Sequence, residues 1–70
     1  MRDHNLLTSR EREIFDLLIQ NQSTIDISIK LSISEKTVRN HISNVIGKLG
    51  VRSRTQAIIE LIKLGVIKLQ

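Results

Sequence analysis

The sequence predicts an all-α fold, a four-helix helix-turn-helix domain. Three observations carry that prediction. The chain has no proline, and its three glycines, Gly47, Gly50 and Gly65, all lie in its later part. Helix-start signals recur at intervals that suit short helices. Apolar residues follow the 3.6-residue period rather than the alternation of strands.

Helix 1 is predicted at about Ser9–Gln20. Thr8-Ser9-Arg10-Glu11 fits a capping box, in which Thr8 caps and Glu11 reaches back to the free amide. Ile14, Phe15, Leu17 and Leu18 fall on one arc of roughly 160°, at about 100° per residue. Asn21 follows, suited to the left-handed conformation that closes a helix. Helix 2 is predicted at about Thr24–Leu31, opened by the aspartate version of the same box, Ser23-Thr24-Ile25-Asp26.

Helix 3 is predicted at about Glu35–Leu49. Ser34 can cap it, and Glu35 complements the dipole in its first turn. Val38, Ile42, Val45, Ile46 and Leu49 stack on one face, and Gly50 can close the helix. Only Ser32, Ile33 and Ser34 separate helices 2 and 3. So short a connection forces a helix-turn-helix corner, with Ile33 turned inward to seal it. Helix 4, at about Arg54–Leu64, opens with the glutamine box Ser53-Arg54-Thr55-Gln56 and closes at Gly65. Its apolar face is Ala57, Ile58 and Leu61.

Glu11 lies on the apolar arc of helix 1, and Arg54 within the apolar face of helix 4. A charge at the edge of a core is costly unless paired. The two are therefore predicted to form a structural ion pair tying helix 1 to helix 4. The alternative is that Glu11 only completes its capping box while Arg54 snorkels to water.

Seventy residues make one domain, 7–70, after a short N-terminal lead, 1–6. The initiating methionine and the short lead suggest a complete protein, with the output domain of a longer regulator left open. No cysteine is present, so neither a disulfide nor a thiolate metal site holds the fold. No apolar run approaches the ~18 residues that span a bilayer, and MRDHNLL lacks the layout of a signal peptide. A cytoplasmic chain is expected. His4 and His41 have no third ligand at workable spacing, so no metal is expected. No nucleophile motif, paired-carboxylate spacing or phosphate loop is present, which argues against an enzyme and against a cofactor.

The formal charge is +4, but its distribution says more. Between Ile27 and Gln56 stand Lys30, Lys36, Arg39, Lys48, Arg52 and Arg54 against Glu35 alone, a net +5, leaving −1 for the rest. A localised basic field points to a polyanion, nucleic acid before an anionic membrane. The membrane is disfavoured because the chain lacks interfacial aromatics.

On the wheel of helix 3, Lys36, Asn40, Ser43 and Gly47 point away from the apolar stripe, flanked by Arg39 and Asn44. Thr37, His41, Asn44 and Lys48 make a second line along one edge. From Lys36 onward the helix carries no acid, where an ordinary solvated face interleaves Glu with Lys. Base edges in the major groove call for arginine, asparagine and small hydroxyls. Phosphates call for lysine, arginine, hydroxyls and helix N-termini. Both inventories stand on adjacent sides of one helix, so double-stranded DNA is the expected partner.

Leu7–Glu11 (LTSRE), Ile33–Ser34, Lys36–Val38 (KTV), His41, Lys48–Leu49 and Arg52–Ala57 together resemble the LuxR/FixJ-type helix-turn-helix, in that order and from Leu7 to about Leu64. The run Ser34–Asn44 is especially similar to a small stand-alone sporulation regulator of that family. The resemblance implies a transcriptional regulator that reads the major groove with helix 3 and dimerises through helix 4. It puts base contacts on Arg39, Asn40 and Ser43, which the wheel had placed outward, and phosphate contacts on Lys36, Thr37 and Lys48. Val38 would pack near the groove. His41 either donates to phosphate or closes the edge of the core.

Two features depart from a minimal domain. The family usually has a basic or polar residue at the second position of helix 2 and alanine three residues later, where this chain has Ile25 and Ser28. Ile25 and Ile29 share a face nearly opposite Ile27 and Leu31. Either one of them packs under Leu6 or Leu7, or the pair is an exposed contact for a partner protein or a second dimer. On helix 4, Ile58, Ile59 and Ile62 offer more apolar surface than one small core needs, as expected of a homodimer on two half-sites. The alternative function is an interaction module or antagonist that uses helix 4 or the Ile25/Ile29 face without reading DNA. Gly47 costs about 1 kcal/mol of helix propensity relative to alanine, and close approach of the DNA backbone is the suggested reason.

Overall fold

The computed structural model describes residues 6–69. Most of the expected lead, with His4, lies outside the described residues. The order of elements is α1 (Ser9–Ile19), α2 (Thr24–Leu31), α3 (Glu35–Leu49) and α4 (Arg54–Lys63). No strand occurs among the described residues.

Each start signal acts where the sequence places it, with one difference. Thr8 Oγ1 accepts the Glu11 N–H at 3.1 Å while Glu11 Oε1 accepts the Thr8 N–H at 3.0 Å. Ser23 and Asp26 make the same reciprocal pair on α2. Ser34 Oγ accepts the Thr37 N–H at 3.0 Å. On α4, Ser53 Oγ accepts the Gln56 N–H at 3.2 Å, but Gln56 Oε1 takes the Arg52 N–H, at 2.8 Å, rather than that of Ser53. The backbone explains this. Ser53 sits at φ −148°, whereas the other caps lie between −79° and −69°, which turns its own N–H out of reach.

Asn21, Gly50 and Gly65 take the left-handed conformation, with φ of 68°, 69° and 76°. α1 and α4 stop one residue short of expectation, at Ile19 and Lys63, because Gln20 and Leu64 serve as their caps. Ser32 is left-handed too, at φ 58°, in the corner between α2 and α3. A non-glycine residue pays about 1–2 kcal/mol there. The Ile33 N–H, donating to Ser28 O at 3.0 Å, closes the corner that holds it.

α3 is the centre of the fold, packing against each of the other three helices. Ile14, Phe15, Ile27, Val38, Ile42, Val45, Ala57 and Leu61 form the buried core, with Leu17, Leu18, Ile33, Ile46, Leu49 and Ile58 packed around it. The core also takes in Leu7 and, unforeseen from the sequence, Val66 and Ile67. After Gly65 the chain folds back, and Arg12 Nη1 donates to Val66 O at 2.6 Å.

The predicted Glu11–Arg54 pair does not form. Glu11 Oε1 lies 2.6 Å from Lys48 Nζ instead, and Arg54 is exposed at the start of α4. Helix 1 packs on α3 far more than on α4, so the nearest cation to Glu11 comes from the last turn of α3.

Candidate nucleic-acid interface

The corner Ser32–Ser34 sets α3 so that its apolar stripe is buried and its opposite side faces solvent. Val38 and Val45 are fully buried, and Ile42 nearly so. Lys36, Arg39, Asn40, Ser43, Asn44 and Gly47 are exposed, matching the outward face of the wheel. Val38, expected near the groove, is wholly inside. Thr37 is half-buried, its hydroxyl 2.9 Å from Ser34 Oγ.

The face is not free of acid pairing after all. Glu35 Oε2 lies 3.0 Å from Arg39 Nη1, an i,i+4 pair across the first turns of α3. The same oxygen accepts the Thr24 hydroxyl at 2.7 Å. Thr24, Arg39, Ile42, Ser43 and Arg54 line a shallow notch where the starts of α2 and α4 meet the side of α3. Arg54 thus belongs to the basic surface, not to a structural pair. The link from Thr24 through Glu35 to Arg39, and the place of Arg54 beside it, were not foreseen from the sequence. The signal for Glu35 was available in its four-residue spacing from Arg39.

Lys48 stands differently from Lys36. Its ammonium donates to Glu11 Oε1 and, at 3.0 Å, to Leu6 O. Burial pushes the Glu11 carboxyl up, but the Lys48 and Thr8 hydrogen bonds and the charges of Lys48 and His41 outweigh it, and the group ends below its ordinary value. His41 is half-buried and lies near enough to act on Glu11.

Away from α3, Ile25 and Ile29 are 56% and 73% exposed, so neither packs under Leu6 or Leu7. Ser28 Oγ donates to Ile25 O at 2.7 Å. On α4, Ile59 is exposed and Ile58 and Ile62 are half-buried. Among the described residues, no helix is long and apolar enough to cross a membrane. Nor does any group of three or more His, Asp or Glu side chains among them suit a metal.

The model of the family "Bacterial regulatory proteins, luxR family" matches residues 5–61. The spore germination protein GerE of Bacillus subtilis (strain 168) is 58% identical over 64 residues, which cover 91% of this chain and 86% of that protein. The transcriptional regulatory protein DegU of Brevibacillus brevis is 46% identical over 66 residues, but the match takes in only 28% of its length. Among solved structures, the transcription factor GerE superposes with a TM-score of 0.91 at 68% identity, covering 93% of this chain and 97% of that one. The response regulator ChrA, of a heme-sensing two-component system, gives 0.82 at 41% identity over 87% of this chain and 30% of its own.

Proposed function

Because the chain belongs to the luxR family of bacterial regulatory proteins, we propose that it reads a specific operator with α3 in the major groove. It is a DNA-binding transcriptional regulator with a helix-turn-helix fold, similar over most of its length to the stand-alone GerE. The observation that carries the finer reading is the outward side of α3. Arg39, Asn40 and Ser43 are exposed there, and each has the hydrogen-bonding groups that base edges require. Lys36 and Thr37 stand at the first turn of the same helix, suited to phosphate.

Lys48 is the weaker candidate for phosphate, because Glu11 and Leu6 O already take two of its three N–H donors. Arg54 is the stronger one, since it is exposed at the start of α4 beside Arg39 and Ser43. A second copy docking on Ile58, Ile59 and Ile62 would give two recognition helices, spaced for half-sites about one turn of DNA apart. The protein would act in the cytoplasm, where its operator is, and a role in sporulation follows from the likeness to GerE.

Random-site selection with the purified chain tests this reading. A two-fold symmetric motif is expected. No enriched sequence at low salt would overturn operator reading, and a single asymmetric half-site would overturn the dimer.

A further inference from the structure

Glu35 is the only acid between Ile27 and Gln56, on the side of the molecule where anions repel DNA. Its carboxylate is nevertheless well occupied. Oε2 accepts the Thr24 hydroxyl at 2.7 Å and lies 3.0 Å from Arg39 Nη1. One oxygen thus joins the first turn of α2 to an arginine one turn along α3. The Arg39 side chain is 58% exposed, so packing alone leaves it a choice of rotamers. Left free, a side chain with so much rotamer entropy would meet any phosphate within reach.

We propose that Glu35 is a specificity-determining positioning residue, tethered by Thr24, that holds the Arg39 guanidinium for base reading and keeps it off phosphates. The inference rests on Arg39 as a base reader. An unpaired arginine serves random and specific DNA alike, through phosphate. An arginine held by a fixed carboxylate pays its ordering cost before binding, so a matched guanine gains and a mismatched one does not. The carboxylate also repels backbone phosphate, which weakens binding to random sequence in particular. Both effects widen the gap between operator and random DNA.

The test compares affinities for the selected site and for a random duplex across a salt series. Glu35→Gln should tighten random binding by about threefold or more and steepen its salt dependence by up to about one unit. The operator-over-random ratio should fall by about fivefold or more. Thr24→Val removes the tether but leaves the charge, and should lower the ratio without steepening the salt dependence. In an Arg39→Ala background, Glu35→Gln should lower the ratio much less than it does alone, because only the phosphate repulsion is then left to lose. If Arg39→Ala spares the ratio, base reading by Arg39 fails. If Arg39→Ala lowers it while Glu35→Gln and Thr24→Val do not, this inference alone fails. A change in which base is preferred under Glu35→Gln would also overturn it, because Glu35 would then read a base itself.

Discussion

The Lys48 ammonium lies 2.6 Å from Glu11 Oε1 and 3.0 Å from Leu6 O, so the last turn of α3 is clamped to the first turn of α1. Glu11 Oε1 also receives the Thr8 N–H, which makes one carboxylate oxygen the meeting point of a helix cap and an interhelical bond. Replacing Lys48 with methionine leaves that carboxylate buried beside a single amide. Lys48 is itself 37% exposed, so the cost is discounted from that of a fully buried pair, to about 1–3 kcal/mol. Urea unfolding should register it. The salt dependence of DNA binding should change less than in Lys36→Ala, where about one unit of slope is expected to go.

The same clamp predicts an acid limb. The Glu11 carboxyl is depressed in the folded state, so the unfolded chain binds its proton first as pH falls. The stability it contributes is whole above its ordinary value of 4.5 and is lost as pH falls through the lower folded value. Thermal melts of wild type should therefore drop below about pH 4.5, and those of Glu11→Gln should start lower and fall less steeply. Parallel curves would show that the pair contributes no pH dependence.

The segment after Gly65 is part of the core. Ile67 is 3% exposed, and truncation to alanine should cost about 2–4 kcal/mol. Arg12→Met, which removes the bond to Val66 O, should cost less, about 1–2 kcal/mol. Denaturant midpoints of the two variants give the comparison.

Gly47 has no tertiary reason to be glycine, for a Cβ built there meets nothing within 4 Å. Gly47→Ala should raise stability by about 0.5–1 kcal/mol. Close approach of DNA, if it is the reason for glycine, would show as weaker operator binding by this more stable variant.

On α4, Ile59 is 51% exposed beside half-buried Ile62. Ile59→Glu should leave the monomer folded and shift sedimentation at high micromolar concentration toward monomer, with loss of binding to paired half-sites. Unchanged self-association would place the interface elsewhere.

Most of the fold was legible because its information is local. Thr8 with Glu11, Ser23 with Asp26, and Ser34 before Glu35 mark helix starts within four residues, and Asn21, Gly50 and Gly65 mark ends through backbone conformation alone. The pairing of Glu11 was not legible. A helical wheel says which side a residue is on, but not which neighbouring helix lies across from it, and here α3 supplies the cation. Val66 and Ile67 escaped for a similar reason, since two apolar residues after a glycine carry no periodicity. At the site, the outward set Lys36, Arg39, Asn40 and Ser43 was readable from the wheel. The Thr24–Glu35–Arg39 link was not, because it crosses from one helix to the next.

The open space beside Gly47 also has a practical use. The chain has no cysteine, so a single one introduced at that position would be the sole thiol. A fluorophore attached there would stand on the outer side of α3 without disturbing the buried core. Its emission would report, in real time, whether and how fast a duplex arrives at that surface.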